Sequence, residues 1–152
     1  MKTSMKTMLA ALAVLLSAGL MAAEGWGTNF KKAKEERRAK KLPVLMVFSG
    51  SDWCQPCISL DRDILKKKSF IEEASKKYIL FNADYPINTR LGQELQAQNK
   101  SLAAKYSIYS FPTVVVIDPN SERILAKESG FAPGTTAKTF LEHFDAKVKS
   151  SK

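Results

Sequence analysis

Trp53-Cys54-Gln55-Pro56-Cys57 contains both cysteines of the 152-residue chain, three positions apart. Thiols at that spacing can close a disulfide and are easily reached. The motif follows an apolar run and opens a stretch with helical patterning. First-turn N–H groups and the helix dipole therefore favour Cys54 as a thiolate, the form that attacks a disulfide. Cys57, one turn deeper, is placed to resolve the mixed disulfide that this attack creates. Pro56 falls in the first helical turn, where its missing N–H costs nothing. A purely structural staple would be a poor one, because so short a loop removes little unfolded-state entropy. A zinc site wants four ligands, and beyond the cysteines only His143 remains as a soft partner. Flanked by Glu142 and Phe144, His143 reads as a surface or packing residue. No metal and no bound cofactor is expected; the dithiol pair is itself the redox group.

The rest of the chain must export and position this motif. With 45% hydrophobic and 26% charged residues it is globular, which excludes wholesale disorder, collagen-like repeats and coiled coil. Its length suits one domain. Neither GxxxxGK[ST] nor GxGxxG occurs, so the usual phosphate loops are absent. Lys2 and Lys6 precede the unbroken apolar run Met8–Leu16, and Ser17–Ala23 then ends in small residues. This is the layout of a secretory signal peptide over residues 1–23, with Ala22 as an alternative end. The 16 residues Met8–Ala23 fall short of the roughly 20 needed to span a bilayer, so membrane attachment is expected only through an uncleaved signal. The expected location is periplasmic or secreted.

Removing residues 1–23 leaves 22 basic against 15 acidic residues, a formal +7. Seven of the basic residues lie in Lys31–Lys41, within a predicted basic N-terminal helix over 24–41. That run can serve an anionic lipid or an acidic partner. The spacing of Trp26, Phe30 and Ala33 favours instead a solvated helix face with these three packed inward. Nucleic acid is not an expected partner.

From Leu42 onward strands and helices alternate. Val44–Phe48 and Tyr78–Phe81 are continuous apolar runs, as expected of strands buried on both faces. Between them the pattern predicts a helix over 54–68 and a shorter one over 70–77. Residues 85–100 are polar and ambiguous, with Leu91, Leu95 and Leu102 suggesting a helical insertion. Strands follow at 113–118 and 124–128, joined by a Pro119-Asn120-Ser121 turn. Thr135 or Thr136 caps a last helix whose inner face is Phe140, Leu141, Phe144 and Val148.

Trp-Cys-x-Pro-Cys after a buried strand, with Phe111-Pro112-Thr113 heading a later strand, resembles the thioredoxin family over nearly all of residues 42–149. Within it the chain is most similar to the C-terminal periplasmic domain of DsbD-type thiol:disulfide interchange proteins. Ser51-Asp52-Trp53-Cys54, Ile79–Asp84, Leu102–Tyr106 and Ser129-Gly130-Phe131 carry that likeness. The resemblance implies an α/β thioredoxin fold over 42–152, a central mixed sheet flanked by helices, with the insertion before the cis-proline strand. It also implies a cis Pro112 against the Cys54–Cys57 pair, Phe111 and Thr113 beside it to receive a substrate strand, and Trp53 covering the disulfide. The implied partners are protein thiols and disulfides and an upstream electron donor, with a membrane thiol:disulfide interchange protein as one candidate. A monomer is expected.

Two departures stand out. The family's buried Asp in the strand before the motif is matched here to Phe48, and its lysine partner to Leu80. Proton handling for Cys57 must then come from elsewhere. Asp61, four residues on, shares its helix face and is either a proton relay or an exposed carboxylate beside Arg62 and Lys66. Asp52 is either an electrostatic neighbour of Cys54 or a loop residue. Gln55-Pro56 places no cation between the cysteines, which leans towards a reducing pair. An oxidase or isomerase, or a thioredoxin-like binding or holdase module, is the alternative. The 86–100 insertion is either a lip that selects partners or decoration.

Overall fold

The computed structural model describes residues 25–151; the expected signal peptide, residues 1–23, lies outside them. Five strands form one mixed sheet in the order β1-β3-β2-β4-β5. They are β1 (Trp26–Gly27), β2 (Val44–Ser49), β3 (Ile79–Asp84), β4 (Thr113–Ile117) and β5 (Ile124–Ser129). β3 runs parallel to both β1 and β2, while β4 pairs antiparallel with β2 and β5. Successive side chains of a strand point to opposite faces. The unbroken apolar runs of β2 and β4 therefore feed two cores. Leu45, Val47, Leu80, Val114 and Val116 face one side, and Val44, Met46, Phe48, Phe81, Val115 and Ile117 the other.

The first side is covered by α2 (Gln55–Leu60), a π-helical turn at Asp61–Leu65, α3 (Lys68–Ala74) and α5 (Ala137–Ser150). The second side is covered by α1 (Phe30–Lys40) and α4 (Gln93–Lys105). In α5, Phe140, Leu141, Phe144 and Val148 are buried as the period of the sequence requires. Thr136 and Thr139 cap its start reciprocally, each side chain accepting from the other's backbone N–H.

Two expectations need correction. Trp26 does not belong to the basic helix, because the Asn29 side chain caps the helix at Phe30 by accepting from Lys32 N–H at 3.0 Å. Trp26 instead pairs with Leu80 at the sheet edge and stacks on Phe70 in the first core. The third inward residue of α1 is Arg37, fully buried. Second, the helix after the cysteines is interrupted: Lys66 N–H bonds to Asp61 O, five residues back, and this wider turn buries both Ile64 and Leu65. The insertion is part loop and part helix, as its leucines suggest: residues 85–92 are irregular and α4 starts at Gln93. Among the described residues no helix is long and apolar enough to cross a membrane.

Candidate active site

The chain leaves β2 at Ser49 and turns through Gly50–Trp53 into α2, with Cys54 as the N-cap residue. Cys54 and Cys57 are disulfide-bonded, their Cα atoms 5.2 Å apart. Cys57 N–H points at Cys54 Sγ at 3.4 Å, and Gly50 N–H points at Cys57 Sγ at 3.5 Å. Each sulfur thus has a backbone donor that stabilises developing negative charge. Cys54 is 6% exposed and Cys57 2%, so Cys54 is the sulfur nearer to solvent.

Gly50 escaped the sequence reading, yet it holds the turn together. Its carbonyl accepts from Cys54 N–H at 3.0 Å. The Trp53 indole lies so close that a Cβ at residue 50 would sit 2.4 Å from Cε2. A lone glycine between a strand and the motif was the available signal. Trp53 is 42% exposed, donates its indole N–H to Tyr85 O at 2.8 Å, and meets the Phe111 ring edge-on at 5.9 Å. Phe111 packs in turn on Tyr85 at 5.0 Å, and Tyr85 on Phe48. Tyr85 is the second residue that was missed. Burial pushes its hydroxyl up to about 12, so it stays a neutral donor to Asn99 O.

The Phe111–Pro112 peptide is cis, as the resemblance implies. Pro112 O accepts from Gly130 N–H at 2.9 Å, and Gly130 takes φ +69°, a conformation natural to glycine. Thr113 is buried, its hydroxyl donating to Ser110 O at 2.7 Å and lying 2.7 Å from Ser129 Oγ. Trp53 and Phe111, the neighbours of Cys54 and Pro112, therefore close one aromatic rim beside the disulfide.

The carboxylates fall out differently. Asp61 lies one turn beyond Cys57, its N–H on Cys57 O, but its carboxylate pairs with Lys66 Nζ at 2.6 Å rather than with either sulfur. Asp52 is a loop clamp. It accepts from the backbone N–H groups of Ile87 (2.9 Å), Asn88 (2.7 Å) and Thr89 (3.0 Å). These bonds, that from Ile87 foremost, hold its carboxyl below the usual carboxylate range. The match of Phe48 to the family's buried acid is also corrected. Phe48 faces α1 and α4, while Val47, with Leu80, lies on the α2 side. The conclusion survives the shift: Val47 and Leu80 supply no ionisable group there. His143 lies 3.2 Å from Glu128 Oε2, edge-on to Phe144, on the outer side of α5.

Fold and site together define a thioredoxin-like thiol–disulfide oxidoreductase, whose redox group is the disulfide itself. The family model described as a thioredoxin-like domain matches residues 30–145, and the chain belongs to that family. Among individual proteins, it is similar to the disulfide bond reductase DsbH of Chlamydia pneumoniae, 29% identical over 81% of this chain and 70% of that one. A solved structure of a DsbH oxidoreductase, 29% identical, covers 82% of this chain and 83% of that chain with a TM-score of 0.74. The thioredoxin-related protein DsbJ of C. pneumoniae is 25% identical over 65% of this chain, which spans only 28% of DsbJ. The DsbD C-terminal domain of Neisseria meningitidis shares the fold, at 18% identity, 78% and 93% coverage and a TM-score of 0.53.

Proposed function

We propose that this chain is an exported reductase of protein disulfides. In its dithiol form Cys54 Sγ attacks a substrate disulfide, forming a mixed disulfide and releasing one substrate thiolate. Cys57 Sγ then attacks Cys54 Sγ, closing the Cys54–Cys57 disulfide and releasing the second substrate thiolate. Two electrons pass to the substrate, and an external dithiol donor returns the pair to its starting state, so no bound cofactor is needed. A membrane thiol:disulfide interchange protein has the chemistry of such a donor. Trp53, Phe111, Pro112 and Thr113 receive the substrate strand: neither the N–H nor the C=O of Phe111 bonds to another backbone group among the described residues. Asp61 takes up the Cys57 proton, as the nearest carboxylate along the helix.

One observation carries the reading: a disulfide at the head of a helix, with Trp53, the residue before Cys54, meeting Phe111 of the cis Phe111–Pro112 peptide edge-on. The direction rests on Gln55-Pro56, which brings no cation to stabilise the Cys54 thiolate, and on similarity to a relative named a disulfide bond reductase. Export rests on the signal-peptide layout of residues 1–23. The test is the equilibrium reduction potential of the pair in glutathione or dithiothreitol buffers. A reductase gives a value near or below roughly −230 mV. A value of about −120 to −180 mV overturns the direction and makes the chain a donor or shuffler of disulfides.

A further inference from the structure

Beside the aromatic rim, the irregular segment 85–92 and the first turns of α4 enclose a groove of about 520 Å³ that the disulfide chemistry leaves unused. Tyr85, Leu91 and Ala103 give it apolar walls, and three charged residues line it: Asp84, Arg90 and Lys100. Asp84 turns both carboxylate oxygens to Ser51, accepting from its N–H at 2.9 Å and its hydroxyl at 2.6 Å. Arg90 and Lys100 make no ion pair among the described residues, whereas Lys105 of α4 and Lys34 and Arg37 of α1 meet Glu122. The groove thus offers two cations without carboxylate partners above an apolar wall.

Its position is tied to the disulfide. Tyr85 O holds the Trp53 indole, and Asp52, two residues before Cys54, fixes Ile87, Asn88 and Thr89 through their backbone. An extended polypeptide advances about 3.3–3.6 Å per residue, so residues two to four removed from a cysteine at Cys54 reach past Trp53 and Tyr85 towards this groove.

We propose that this groove is a specificity subsite for an acidic substrate segment, holding an Asp or Glu side chain that flanks the substrate's disulfide cysteine between Arg90 and Lys100. The nature of the substrate rests on the reductase reading above; the charge preference rests on the groove alone. Two exposed charge pairs give a preference of about twofold to thirtyfold.

The test uses peptides that differ only in carrying Asp-Glu or Asn-Gln two to four residues from one cysteine. Each is made with cysteine and with serine at that position. The serine peptides report docking without exchange, read from NMR shifts of the chain lacking residues 1–23. The acidic serine peptide is expected to bind about twofold to thirtyfold more tightly and to shift the amides of 87–92 and 100–103. The preference should shrink at about 0.5 M salt and disappear in the Arg90→Gln/Lys100→Gln double variant, which circular dichroism must show folded. Equal binding of the two serine peptides, or a preference that survives the double variant, overturns the subsite. Exchange with the cysteine peptides reports separately on the reductase reading. If none is reduced while the acidic serine peptide still docks selectively, the reductase fails and the subsite stands.

Discussion

At the scale of single residues, the site differs from the family pattern in how it handles the proton of the buried sulfur. Val47 and Leu80 supply no carboxylate or lysine on the α2 side of the sheet, so charge near Cys57 must come from its own helix. Asp61 is four residues on, and its ion pair with Lys66, both partly exposed, weakens the field it exerts. If Asp61 takes the Cys57 proton through an intervening water, Asp61→Asn removes both a base and a negative neighbour. The mixed disulfide should then resolve about threefold more slowly, well below the roughly hundredfold or more of a fully positioned general base, because Lys66 already occupies the carboxylate. Cys57, freed of a nearby negative charge, should titrate lower in the reduced protein. Stopped-flow resolution rates and thiol titration against pH check both effects. If neither moves, Asp61 is only a surface carboxylate.

At the scale of elements, segment 85–92 is held from outside rather than by its own regular structure. Three backbone donors converge on Asp52, and Tyr85 closes the other end through Trp53 and Asn99. The Asp52 carboxyl is depressed in the folded protein, so its contribution is fully present above the ordinary carboxylate value of about 4. It is lost as pH falls through the lower folded value. The protection of the Ile87, Asn88 and Thr89 amides, after correction for the pH dependence of intrinsic exchange, should therefore be present at neutral pH and fall in acid, with the β2 amides as a reference. In Asp52→Asn the protection should already be reduced at neutral pH and its acid dependence should disappear. Identical profiles in the two proteins would mean that segment 85–92 is held by Tyr85 alone. The clamp was out of reach of the sequence, since nothing in Asp52 or in 87–89 says that these stretches meet. The helix of 93–105 was blurred for a related reason: its apolar face is thin, with only Asn99 and Leu102 buried.

At the scale of the whole molecule, legibility followed the strength of the local pattern. The β2 and β4 runs, the α5 face and the cysteine motif each carry their own signal, and the structure agrees with them. Contacts between distant segments were not legible, and Arg37 is the clearest case. A basic run reads as a solvated face, yet Arg37 lies fully inside. It donates to Asp118 O and to Glu122 Oε1, both at 2.9 Å. Glu122 also meets Lys34 and Lys105, so one carboxylate in the β4–β5 turn ties α1 and α4 to the far side of the sheet. Removing the guanidinium leaves Asp118 O without that donor but leaves Glu122 paired, so the cost should fall below that of orphaning a buried charge. Arg37→Met, which keeps much of the stem, should lower unfolding free energy by about 1–3 kcal/mol. Arg37→Ala should cost more, because a cavity adds to the lost bonds. Urea unfolding of both variants measures this, while the reduction potential of the pair, on the opposite sheet face, should stay unchanged. Equal losses would assign the effect to the charge, and no loss in either would make the buried guanidinium a passenger of the fold.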